Sequence, residues 1–200
     1  MRRLIPLALL LALAGCGSIP PPPPAPASSL PTFIASPSIP GQPTPLPSQV
    51  SDPGHVTGTL TGPCHTSDNG SLPDRSCTPG AYDPTITAAM LCSPLYTTSS
   101  YRPPSSETTR FKYQVAEPAY GQHNVSGELD HLISLELGGS NDASNLWVEA
   151  GKIPNPKDKI ENALHAWVCA ASGQEAQLRL NSAQTAIALN WETAEAVLGI

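Results

Sequence analysis

Charge is scarce in this sequence. Only 13% of its 200 residues are Asp, Glu, Lys or Arg, and the formal net charge is −6. A chain with that balance has no global electrostatic attraction to a polyanion, so any nucleic-acid substrate would need a local basic patch or a metal ion. Aromatic residues make up 5%, and no sequence repeat is present, which excludes solenoid and propeller architectures. Its longest apolar run, residues 4–14, has eleven positions. That is too short to cross a hydrocarbon core of ~30 Å as a helix. No Cys-x-x-Cys pair occurs, and the sole histidine next to a cysteine is His65 beside Cys64, so the usual spacing of a structural zinc site is missing.

What the chain does have is strongly segregated. Met1-Arg2-Arg3 precedes the apolar run, which ends in Leu13-Ala14-Gly15-Cys16. A basic start, a short apolar segment and small residues before a cysteine make a signal peptide, and the last four residues resemble the bacterial lipobox. We expect cleavage after residue 15, lipidation of Cys16 and loss of Arg2 and Arg3, which takes the net charge from −6 to −8. The expected location is the cell envelope, lipid-anchored and extracytoplasmic; Gly17 in place of Asp points to the outer membrane in a two-membrane cell. Thirteen of the 24 prolines fall between Pro20 and Pro53. Residues 16–54 therefore read as the anchor plus an extended or disordered tether, and residues 55–200 as the folded domain.

Four cysteines remain beyond Cys16, and an even number in an exported domain suggests two disulfides with three connectivities. We favour Cys64–Cys77, closing a turn-rich loop, and Cys92–Cys169, tying an early segment to a late helix. Residues 56–102 are rich in turn formers. Helical periodicity is expected over 85–91, 108–117, 157–169 and 175–187, with strands over 126–133 and 145–149. Trp191 and Leu198 should pack near the end.

The chemistry-bearing stretch is Glu128-Leu129-Asp130-His131-Leu132-Ile133, then Gly138-Gly139, then Asn145-Leu146-Trp147, then Asn155-Pro156-Lys157-Asp158-Lys159. Across residues 113–169 this resembles the HNH, or ββα-metal, endonucleases. In that family Asp-His on one strand precedes a Gly-Gly loop, Asn-Leu opens the second strand, and a polar ligand stands at the start of the following helix. The resemblance implies an α+β fold with a hairpin-plus-helix core over residues 120–170, further helices and a disulfide-stabilised, loop-rich N-terminal part. It also implies hydrolysis of DNA or RNA phosphodiesters. His131 would be the general base, Asn145 would brace the loop and orient His131, and Asp130 and Asn155 would hold a divalent metal. Mg²⁺ is expected first, with Mn²⁺ and Zn²⁺ as alternatives; Asp158 and Asn162 are alternatives to Asn155 as a ligand. Because neighbouring strand residues point to opposite faces, Asp130 and His131 can converge only at a bulge. Lys152, Lys157 and Lys159 are the candidate phosphate contacts, with Arg102, Arg110 and Lys112 behind them. Ser134 stands where the family usually has Pro. His123, His165, His55 and His65 read as loop or packing residues. The alternative function is a non-catalytic envelope lipoprotein that uses this scaffold to bind a partner.

Overall fold

The computed structural model describes residues 45–67, 70–151 and 155–200. The signal peptide, Cys16 and most of the Pro-rich segment lie outside the described residues, as does Lys152. The segment 46–51, read from sequence as tether, is bonded to the folded part. Tyr82 N donates to Pro47 O and Gln49 N to Tyr82 O, and Ser51 N reaches the Asp83 carboxylate. It belongs to one compact unit, Pro43–Ile200.

Asp83 also receives the Thr85 amide and hydroxyl. This local turn competes with a helical start, so α1 shrinks to Ala88–Leu91 with Thr87 as its cap. The helix expected over 108–117 begins earlier, behind Pro103-Pro104, as α2, Ser105–Phe111. It widens into a π turn over Lys112–Ala116 before α3, Glu117–Ala119. Pro118 has no N–H for the carbonyl one turn back, and the ladder opens just ahead of it.

Strands β1, Gly127–His131, and β2, Leu146–Ala150, form a two-stranded antiparallel sheet. Between them the chain folds back tightly on itself. Gly138 sits at φ +73°, and a Cβ on Gly139 would stand 1.7 Å from the Ile133 carbonyl oxygen. Only glycine permits that approach. Asn145 fixes the loop from inside. Its Oδ1 accepts Ile133 N, and its Nδ2 donates to Ile133 O and Ser140 O.

Three helices close the fold: α4, Lys157–Cys169, α5, Gly173–Asn190, and α6, Ala194–Leu198. Helix α4 buries Lys157, Glu161, Leu164 and Val168, one stripe at helical spacing. The stripe is charged at its N-terminal end and apolar at its C-terminal end. On α5, Leu180, Ala183 and Ile187 are fully buried with Leu132, Ile133, Leu137, Trp147 and Val148 of the hairpin. Trp191 packs on this core, and its indole N–H donates to Ser71 O. The disulfides are Cys64–Cys77 and Cys92–Cys169. The fold is thus α+β, helices against a single hairpin.

Candidate active site

The hairpin runs in unbroken register: Glu128 opposes Glu149, Asp130 opposes Trp147 and His131 opposes Leu146. No bulge interrupts it at Asp130-His131, so the two side chains leave β1 on opposite faces. This corrects the expected convergence. Each face carries its own cluster.

On one face stand Glu128, Asp130 and Glu149. The first turn of α4 lies against them. Lys157, which is fully buried, donates from Nζ to Asp130 Oδ2 at 2.7 Å, to His131 O at 2.7 Å and to the Glu161 carboxylate. Asn155 accepts Lys157 N through Oδ1 and donates through Nδ2 to Glu149. Asp130 and Asn155 are therefore brought to one cluster, joined through Glu149. Electrostatics there are crowded. Burial and the Asp130 charge push the Glu149 carboxyl up to about 8, so at neutral pH it keeps its proton and hydrogen-bonds to Asp130. Burial likewise lifts Glu161 to about 7, and raises Glu128 with help from Asp130. Burial works against charge on Asp130 too, but the Lys157 ammonium outweighs it and holds Asp130 below the ordinary carboxylate range. Burial would lower Lys157, but Asp130 and Glu161 together keep its ammonium charged. A lysine in that state cannot double as a phosphate contact, which removes Lys157 from the candidate nucleic-acid residues. Lys159 is exposed.

On the other face His131 is buried against Asn141. Its Nε2 stands 2.8 Å from Asn141 Oδ1, while Asn141 Nδ2 donates to Tyr101 O at 2.6 Å. That second bond fixes the amide orientation, so Oδ1 is an acceptor and His131 Nε2 carries the proton. Its Nδ1 is left with a lone pair. Burial depresses the imidazole to about 4, so it is neutral in neutral solution. Orientation of His131 thus falls to Asn141 rather than Asn145, whose bonds all go to the loop backbone. His131 lines a cleft of about 400 Å³ together with Arg102, Ser105, Thr108, Lys112 and Glu128. Lys112 is committed to the Val125 and Gly127 carbonyls at the start of β1. Arg102 is exposed and has no side-chain partner among the described residues, yet its charge reaches His131. A neutral base, hydroxyls and a free guanidinium around one cleft suit an oxyanion with a nearby nucleophilic water.

The two faces meet at two points. Lys157 holds the His131 carbonyl, and Glu128 lines the cleft while accepting a hydrogen bond from Asn155. The family resemblance singled out Asp130, His131, Asn145 and Asn155, and Arg102 was among the candidate phosphate contacts, but Glu128, Glu149, Glu161 and Asn141 were missed. Only the pairing register and the docking of α4 bring these residues in; the regular alternation of Glu128 and Asp130 was the one available signal.

A third cluster lies at the other end of α4. Cys92, His165 and Cys169 offer ligand atoms within 4.8 Å of one another, and this group could hold a metal ion; in the structure its two sulfurs are bonded to each other. Compared with known proteins, the chain matches no family model, no curated protein and no solved structure.

Proposed function

We propose that this chain is a membrane-anchored, extracytoplasmic nuclease of HNH type that hydrolyses phosphodiester bonds of DNA or RNA, with His131 as the general base. The observation that carries this reading is the neutral, tautomer-fixed His131 opening on a cleft beside Arg102, whose guanidinium has no partner among the described residues. Asn141 donates nothing to Nδ1, so that nitrogen could take a proton from water, and Arg102 on the same cleft would bind the phosphate. The Cys16 anchor is part of the proposal. Two disulfides support an oxidising compartment, and among the described residues no helix is long and apolar enough to cross a membrane.

The donor set behind His131 fits a hard divalent cation. Asp130, Glu149 and Asn155 carry the oxygen atoms such an ion takes; to bind it Glu149 would give up its proton, and Asp130 and Asn155 would share their oxygens with Lys157. Asp130 and Asn155 would hold the ion, with Glu149 beside them, and Mg²⁺ or Mn²⁺ suits these donors better than Zn²⁺. Such an ion, when bound, polarises a phosphoryl oxygen and acidifies a water molecule, so that a weak base suffices.

A second reading has its own observation. Asp130 already accepts Lys157, and it leaves β1 on the face opposite His131. That arrangement favours a non-catalytic lipoprotein that binds a partner through the hairpin and α4. The full chain, disulfides intact, incubated with plasmid DNA or RNA and Mg²⁺, Mn²⁺ or Zn²⁺ separates the two. Cleavage lost with EDTA and with His131→Ala supports the nuclease. No cleavage with any metal, and no metal binding by calorimetry, overturns it in favour of the binding module.

A further inference from the structure

Helix α4 carries a second constellation, independent of the hairpin. His165 and Cys169 are one turn apart on the same face, four residues of spacing, and Cys92 caps the end of α1 against them. Their ligand atoms lie within 4.8 Å of one another, and all three are half-buried. Glu136, on the short turn Leu135–Leu137, places a carboxylate oxygen 3.6 Å from His165 Nδ1. These four residues line one cavity of about 550 Å³, with Tyr96 and Thr97 on its far side. From Lys157 to Cys169 the helix rises about 18 Å, so this cluster stands apart from the Asp130 cluster.

We propose that Cys92, Cys169 and His165 form a zinc-class metal site when the disulfide is reduced, with Glu136 positioning the imidazole. Two cysteine sulfurs and one imidazole are the soft-to-borderline donors that zinc selects, and histidine four residues before cysteine on a helix gives both ligands one direction. Ligand atoms of a tetrahedral zinc stand roughly 3.3–3.8 Å apart. The three ligand atoms lie within 4.8 Å of one another, and the two sulfurs, now bonded to each other, must part to reach that spacing. Glu136 stands 3.6 Å from Nδ1; a slight approach would give an Nδ1 proton the carboxylate partner usual for a metal-bound histidine and leave Nε2 for the ion.

The step balances. A dithiol reductant passes two electrons and two protons to the Cys92–Cys169 bond, which breaks to two thiols while the reductant leaves as its own disulfide. Zn²⁺ then takes both sulfurs as thiolates, displacing two protons into solvent, and accepts the imidazole lone pair. The clasp between the ends of α1 and α4 is thereby kept in both redox states: covalent when oxidised, metal-bridged when reduced.

Cobalt titration of the full chain tests this. After reduction with a phosphine, one equivalent of Co²⁺ per chain should give thiolate-to-cobalt charge-transfer absorption and tetrahedral d–d bands, both displaced by Zn²⁺. The oxidised chain should give neither. His165→Ala and Glu136→Gln keep all four cysteines of the folded part and, once reduced, should each weaken Co²⁺ binding about 10-fold or more. The bands should persist in Cys64→Ser/Cys77→Ser and in Cys16→Ser, and the reduced chain should melt higher with Zn²⁺ than with EDTA. Absence of the bands in the reduced wild type, bands of equal affinity in His165→Ala, or bands lost with Cys64 and Cys77 would each overturn the proposal. None of these readouts depends on nuclease activity.

Discussion

Lys157 carries its charge where no water reaches it. Its three partners, Asp130, the His131 carbonyl and Glu161, are the reason it can. Removing one member of a buried charge cluster leaves the others uncompensated, which typically costs about 3–5 kcal/mol. Lys157→Met should lower stability by that amount in denaturant titrations, although methionine fills similar space. A loss under about 1 kcal/mol would mean that Asp130 and Glu161 find water instead. On the opposite face, Asn141 decides which nitrogen of His131 bears the proton. Asn141→Ala leaves the ring in place but frees its tautomer. For an active enzyme we expect kcat to fall about 10²-fold with KM little changed, set against the larger loss of His131→Ala. Equal KM and kcat effects would assign Asn141 to packing alone. At this scale the sequence was informative where one residue type has one job. Asn145 was expected to brace the loop and does; it was also expected to orient His131, and that role went to a residue four positions earlier.

Elements show the same division. Helix α4 was legible residue for residue, because Leu164 and Val168 repeat at helical spacing and Pro156 precedes the first turn. Helix α5 was expected over 175–187 and runs from Gly173 to Asn190, since ends fray beyond where periodicity shows. The start of α1 was misplaced because the Asp83 side chain captures Thr85, a local competition that propensity does not count. The two disulfides act on these elements unequally. Cys92–Cys169 closes 77 residues and Cys64–Cys77 closes 13. Chain entropy then assigns about 4.5 kcal/mol to the first and about 3 kcal/mol to the second. Cys92→Ala/Cys169→Ala should therefore lower stability more than Cys64→Ala/Cys77→Ala in metal-free buffer. The reverse order would show that the small loop does more than restrain the unfolded chain.

For the whole molecule, the half-buried Tyr96 makes an alkaline limit. Burial raises Tyr96, whose hydroxyl donates to Leu135 O at 2.7 Å, above its ordinary value of 10.0. Above that pH the unfolded chain gives up this proton while the folded chain keeps it, so stability falls as pH rises. Denaturation midpoints should decline between about pH 9 and about pH 11, and Tyr96→Phe should flatten the decline. An unchanged slope in the variant would place the alkaline sensitivity elsewhere, with Tyr120 the next group raised by burial.

By itself the sequence determined what depends on neighbours along the chain: the hairpin, its Gly138-Gly139 turn, the apolar stripe of α4 and the placing of Asp130 and His131 on one strand. Tertiary structure decided the rest, because charge is settled by what lies across space. Glu128 and Glu149 meet only through strand register, and Lys157 is buried only because α4 docks on that face. His165, read from sequence as a packing residue, faces a disulfide and Glu136 because α1 ends where α4 ends. A strand's alternation tells which residues share a face. Which partner comes to cover that face is written in residues too distant along the chain for any local pattern to pair.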